Sequence, residues 1–127
     1  MAQQPLNQYK TITGIVSTSD EEVYRTKTGY TSIVLYAQVA NTGSGIGTVT
    51  FTHQRETRSS GGGISTYTNE ILYQTPIYPN DALVLLDGRL VLERTAIKTD
   101  SVRLVGLSST SPNHLKYTIS ILETLNQ

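Results

Sequence analysis

The chain has no cysteine among its 127 residues, which removes disulfide staples, thiolate metal sites and a thiol nucleophile together. It has no surplus of charge: ten basic and ten acidic side chains cancel, leaving no bulk field to draw it to nucleic acid or to an anionic membrane. A chain near neutrality has little protection against self-association, as suits a subunit of an assembly. Long apolar runs are also missing. The longest, Ile33–Ala37 and Ala82–Leu86, are five residues each, against the roughly 20 a membrane-spanning helix needs. The opening MAQQPLNQYK has no apolar core behind a positive start, so no secretory signal is expected. The expectation is one soluble domain, large enough to bury a core without disulfides or metal.

What the chain does have is hydroxyl groups. Thr and Ser make up 31 residues, and eight of the nine aromatics are Tyr; Thr and Tyr favour half-buried pleated surfaces. Short alternating stretches follow one another at roughly ten-residue spacing, the pattern of an all-β sandwich or barrel. Strands are expected at Tyr9–Ser17, Glu22–Lys27, Thr31–Asn41, Gly47–Gln54, Thr66–Tyr73, Leu83–Leu86, Arg89–Leu92, Ser101–Leu107 and Leu115–Leu125. The fold class is a single antiparallel β-sandwich, jelly-roll or immunoglobulin-like, of about eight strands over residues 9–127, behind a polar N-terminal arm at 1–8 that is expected to be flexible.

In Thr31–Asn41, Ile33, Leu35, Ala37 and Val39 are assigned inward and Val34, Tyr36 and Gln38 outward; apolar residues on both faces suggest a second side covered by a neighbour or partner. In Gly47–Gln54, Val49 and Phe51 point inward and Thr48, Thr50 and Thr52 outward. In the closing strand Leu115, Tyr117, Ile119 and Ile121 share a face. Turns are expected at Asp20–Glu22, Asp87-Gly88 and Lys98–Asp100, with a polar loop at Ser108–His114 around Pro112. Asp81–Leu86 reads equally as one helical turn. Pro76 and Pro79 argue against a central strand between them.

No motif points to catalysis. Gly43-Ser-Gly-Ile-Gly47 would need a helix behind it to face a pyrophosphate, and a strand follows, so it reads as a flexible hairpin tip. Gly61, Gly62 and Gly63 read as a second tip, the glycines supplying positive φ and slack in the stretch RETRSSGGGIS. His53 and His114 stand at no metal-ligand spacing, and His53 reads as an edge-of-core residue. No nucleophile elbow is present. Hence no enzyme, metal or cofactor is expected. The cluster His53–Arg58 is a solvated hairpin end or an arm whose Arg55 and Arg58 fork onto a neighbour's carboxylates. Tyr24, Tyr30, Tyr36, Tyr67, Tyr73 and Tyr78 are half-buried boundary residues or a sticky outer face, for protein contacts or for sugar stacking. In residues 85–109, Leu90 and Leu92 are expected to face inward, with Arg89, Glu93, Arg94, Lys98 and Asp100 at the ends as registering contacts.

Tyr9–Gly14, Val23–Tyr30 leading into Ile33–Asn41, Leu85–Glu93 and Ser120–Glu123 together give a chain that resembles small virion-associated proteins of tailed bacteriophages, especially marine T4-like ones. Where those run from a Leu-Glu pair through a Gly-Asp turn, this chain inserts Arg94–Asp100, and the Gly61–Gly63 tip is a further elaboration. The resemblance implies a β-sandwich that coats, cements or joins parts of a virion. It implies partners that are capsid or neck/tail subunits and further copies of this chain, synthesis in the host cytoplasm, and no catalytic residues. A carbohydrate- or receptor-binding module is the alternative. The expected contacts are Arg55, Arg58, Gly61, Gly62, Gly63, Tyr67, Tyr73, Tyr78, Arg94 and Lys98.

Overall fold

The computed structural model describes residues 7–108 and 114–126. Nine antiparallel strands form two sheets: β1 (Asn7–Ile15), β2 (Glu21–Arg25), β3 (Tyr30–Asn41), β4 (Gly47–Arg58), β5 (Ile64–Ile77), β6 (Asp81–Val84), β7 (Leu90–Leu92), β8 (Lys98–Ser108) and β9 (Leu115–Leu125). The first sheet runs β1-β9-β3-β6, with β7 also on β3; the second runs β2-β8-β4-β5. The β-sandwich reading of the sequence is therefore right, with nine strands rather than about eight.

The core lies between the sheets. Val34, Val39, Leu92, Ile119 and Ile121 from the first meet Val49, Phe51, Val102 and Leu104 from the second, each at most 1% exposed. Val49 and Phe51 face inward as their alternation required. Thr52 keeps the outward parity of Thr48 and Thr50 yet is only 5% exposed; its cross-strand neighbours are the long side chains of Arg103 and Glu70. In β9, Leu115, Ile119 and Ile121 are buried and Tyr117 packs against them.

β3 departs from simple alternation. Val34 pairs with Ile121 but Tyr36 pairs with Ser120, so Leu35 is an extra residue against β9. Such a bulge reverses the inward parity of everything beyond it. Ser32 and Val34 face inward before it, Ala37, Val39 and Asn41 after it. The inward assignment thus holds for Ala37 and Val39 and fails for Ile33 and Leu35, and the outward assignment fails for Val34.

Four connections also differ from the sequence reading. Gly43–Gly47 is not a hairpin tip, because β3 and β4 lie in different sheets and this loop crosses between them. Asp87-Gly88 does not join a pair of strands either: β6 and β7 both pair with β3, at Gln38–Asn41 and Ser32–Val34, as two pieces of one interrupted edge. Asp81–Val84 is accordingly strand and not a helical turn. Lys98–Asp100 lies inside β8, and the turn comes earlier, where Thr95 Oγ1 accepts from the N–H groups of Ile97 and Lys98. β4 runs on to Arg58 and β5 starts at Ile64, so the glycine tip shrinks to Ser59–Gly63, with positive φ at Gly62. β5 is an edge strand, which accommodates Pro76 within it. Of the expected arm, Asn7 and Gln8 already belong to β1 and residues 1–6 lie outside the described residues, as do 109–113 of the Pro112 loop.

Gly106 in β8 lies at a close approach of the sheets. A Cβ there would stand 2.9 Å from Val16 Cγ1 and 3.1 Å from the Thr48 carbonyl oxygen. Gly106→Ala is expected to lower stability by about 1–3 kcal/mol through overpacking, read as a lower urea midpoint with unchanged slope.

Candidate functional site

One end of the sandwich gathers the β2–β3 loop, the β4–β5 tip, the β7–β8 loop and the start of β8. Sequence-distant charges meet there because β4 and β8 align Arg55 with Asp100. Arg55 donates through Nε and Nη2 to the two oxygens of Asp100 at 2.7 and 2.8 Å and through Nη2 to Glu93 at 2.8 Å. The Glu93 backbone N–H donates to Asp100 at 2.8 Å, and His53 Nε2 stands 3.4 Å from it. Asp100 is fully buried. Burial by itself would raise its carboxyl, but the hydrogen bonds from Arg55 and from the Glu93 N–H, with the Arg55 charge, hold it below the usual carboxylate range. Arg55 is thus committed to carboxylates of its own chain, and Asp100 is an interior anchor rather than a surface contact.

A second buried cluster lies between the sheets and escaped the sequence reading. Glu123 of β9 is fully buried and accepts from the Tyr24 hydroxyl of β2, which is 2.8 Å from the Ser32 hydroxyl. Lys27 Nζ lies 3.1 Å from Glu123. Burial raises the Tyr24 hydroxyl and the Glu123 bond raises it further; burial would raise Glu123 too, but Tyr24 and Lys27 bring it down. Tyr24 is therefore not on an outer face. The available signal was Glu123 continuing the inward series Leu115, Ile119, Ile121. Both clusters tie parts of the fold together, and among the described residues no group of three or more His, Asp or Glu is placed to hold a metal ion.

The remaining expected contacts separate. Arg58, Ile64, Arg94, Ile97 and Glu56 line a cleft of about 270 Å³ at this end. Gly61–Gly63 form the tip beside it, and Lys98 lies 4.0 Å from Glu93. Tyr67 and Tyr73 stand exposed on β5, and Tyr78 is exposed in the β5–β6 connection. The tyrosines do not compose one face: Tyr24 is interior, Tyr30 and Tyr36 are on β3 of the other sheet, and Tyr67, Tyr73 and Tyr78 are spread along β5 and the connection after it.

The outer faces of the two sheets differ in kind. On the β2-β8-β4-β5 sheet a chain of ion pairs runs from Glu56 to Arg25 (2.8 Å), Arg25 to Glu22 (2.8 Å), Glu22 to Arg103 (3.8 Å) and Arg103 to Asp20 (2.6 Å). On the other sheet, among the described residues, the strands turn one charged side chain outward, Lys116. A registered apolar row crosses four strands there, since Val91 pairs with Ile33, Ile33 with Leu122, and Leu122 with Tyr9. Tyr9 is 76% and Val91 50% exposed. Ile33 is the β3 member of this row, and the clue in the sequence was the apolar character of both faces of that strand.

No family model and no curated protein matches the chain. Among solved structures it is similar to a chain of the T13 particle of infectious bursal disease virus, at TM-score 0.50 and 9% identity over 96% of this chain. It is similar also to a chain of the T=1 particles derived from that virus, at TM-score 0.50 and 10% identity over 94%. The chain spans about a third of the length of these viral chains (32% in both). A fainter likeness, TM-score 0.41 and 9% identity, covers 95% of this chain and 88% of a Bacillus endospore appendage protein. At these identities the likeness is one of fold: a β-sandwich of a kind found in viral particles.

Proposed function

We propose that the protein is a virion structural subunit, in the finer reading a head-decoration or neck/tail accessory protein of a tailed bacteriophage, which acts by protein–protein assembly and without a catalytic step. The observation that carries this is the contrast between the outer faces. A sheet that meets water on its outer side is expected to be polar there, as the ion-paired sheet is, whereas the other face, with its apolar row and a single charged side chain, has the character of an interface core, poor in charge and holding Tyr. The fold shared with viral particle chains and the resemblance to phage virion proteins supply the setting. Repeated copies on a lattice multiply individually modest contacts.

A face with a single charged side chain, Lys116, imposes little like-charge penalty on self-contact, so the recombinant protein is expected to form a discrete oligomer of its 13.9 kDa chain in light scattering across a concentration series. Exchanging Tyr9 and Leu122 together for threonine, which keeps β propensity, is expected to weaken that association by about a hundredfold or more, given about 1.5 kcal/mol or more for each large side chain buried. A strict monomer at every concentration would remove self-assembly from the proposal.

A further inference from the structure

We infer that the cleft at the loop end is a docking site for an acidic, extended segment of a partner protein, laid along the free edge of β5. The word partner rests on the assembly reading; the chemistry of the site does not. Three observations converge on it.

The first is unspent positive charge. Arg25, Arg55 and Arg103 are each paired with carboxylates of the same chain. The Arg58 side chain makes no ion pair among the described residues, and Arg94 gives one Nη1 bond to the Thr26 carbonyl at 3.0 Å and none to a carboxylate. Both line the cleft. Its one acidic residue, Glu56, is already held by Arg25 at 2.8 Å. Two guanidinium groups with spare N–H donors suit a carboxylate, which they can meet with paired charge-assisted hydrogen bonds.

The second is apolar wall. Ile64 and Ile97 line the same cleft and are 57% and 53% exposed, leaving an uncovered place for an aliphatic side chain next to the charges. The third is backbone. β5 pairs with β4 on one side and is the outer strand of its sheet, and its first seven residues, 64–70, are exposed. The register sets Arg58 opposite Ile64, so the free edge begins at the cleft. A strand added to that edge receives main-chain hydrogen bonds from β5 while its side chains are read by the cleft. In this mode the backbone gives affinity and the Arg pair gives selection for acid.

The test uses the full chain and a fluorescent peptide of alternating Val and Glu, with its Val/Gln counterpart as control. The acidic peptide is expected to bind at least tenfold more tightly than the Gln peptide and to weaken as salt rises. The substitutions Arg58→Gln and Arg94→Gln together are expected to reduce its affinity at least tenfold while leaving the circular dichroism unchanged. Amide resonances of residues 64–70 should shift on binding. Equal binding by the double variant would overturn the site. Free glutamate binding as well as the peptide, without shifts along β5, would overturn the strand-addition geometry. An oligonucleotide bound in an Arg58-dependent way, with the peptide ignored, would overturn the choice of partner. A single Arg58→Gln variant, which leaves the Arg94–Thr26 bond in place, keeps the test valid if the double variant is misfolded. Self-association has no part in the readout, so a monomeric protein that binds the peptide sinks the self-assembly proposal and leaves this one standing.

Discussion

Phe51→Ala is expected to cost about 3–5 kcal/mol, a large share of the roughly 5–15 kcal/mol that holds a domain folded. Phe51 is the only phenylalanine in the chain and is fully buried. Its strand is the one in its sheet with long partners on both sides, β8 through Leu104 and β5 through Leu72, so the neighbours are held by their own ladders and cannot collapse into the space. The cost then includes the cavity as well as the lost transfer energy. Phe51→Leu, which keeps most of the volume, is expected to lose less than half as much. Urea unfolding at pH 7 separates the two. Equal midpoints for Phe51→Ala and the parent would mean that the sheets are not packed through this ring.

Asp100→Ala is expected to cost about 3 kcal/mol, the lower end of what removing one partner of a buried ion pair does, because Arg55 is 31% exposed and keeps Glu93. The loss has identifiable parts: two charge-assisted bonds from Arg55 and the orphaned Glu93 N–H. The same carboxylate gives the fold an acid limit. Asp100 and Glu123 both ionise more readily in the folded chain than in the unfolded one. Groups lowered on folding contribute stability that is complete above their unfolded values, about 3.9 for Asp and 4.3 for Glu, and that drains away as pH falls through the folded values. The urea midpoint is therefore expected to be flat from neutrality down to about pH 5 and to fall below about pH 4. In Asp100→Asn the acid slope should be shallower and the neutral plateau lower. A midpoint independent of pH between 5 and 2 would show that neither carboxylate is paired as described.

The sequence was most legible where one strand is buried on one side and alternates without interruption. β9 was read at its observed bounds, and Val49 and Phe51 at their observed orientation, because period-two patterning is a local property. It was least legible where a single residue changes the count. Nothing in Ser-Ile-Val-Leu-Tyr-Ala announces that Leu35 is the bulged position; that depends on β9, some eighty residues later in the chain. The same holds for β6 and β7, whose Asp-Gly junction has hairpin chemistry but joins two segments laid end to end on β3. The ion pairs were hidden for a related reason. Arg55 and Asp100 become neighbours only through the β4–β8 register, so a residue with the look of a free arm turns out to be tethered. Arg58 and Arg94 were singled out for their type, and the cleft between them is built by three loops that meet only in the fold.

The position of β9 has a consequence in time. It is the last strand in chain order but sits inside its sheet, between β1 and β3, and joins residues as far apart as Asn7 and Thr124. Pairings of such sequence separation slow folding. During synthesis β1 and β3 emerge long before the strand that belongs between them, leaving a vacant slot bordered by two unsatisfied strands. When many copies are made at once, a β9 from another copy would fit the same slot and form the same ladder. Yield of correctly closed chains is thus a contest between how fast one molecule completes itself and how crowded its siblings are.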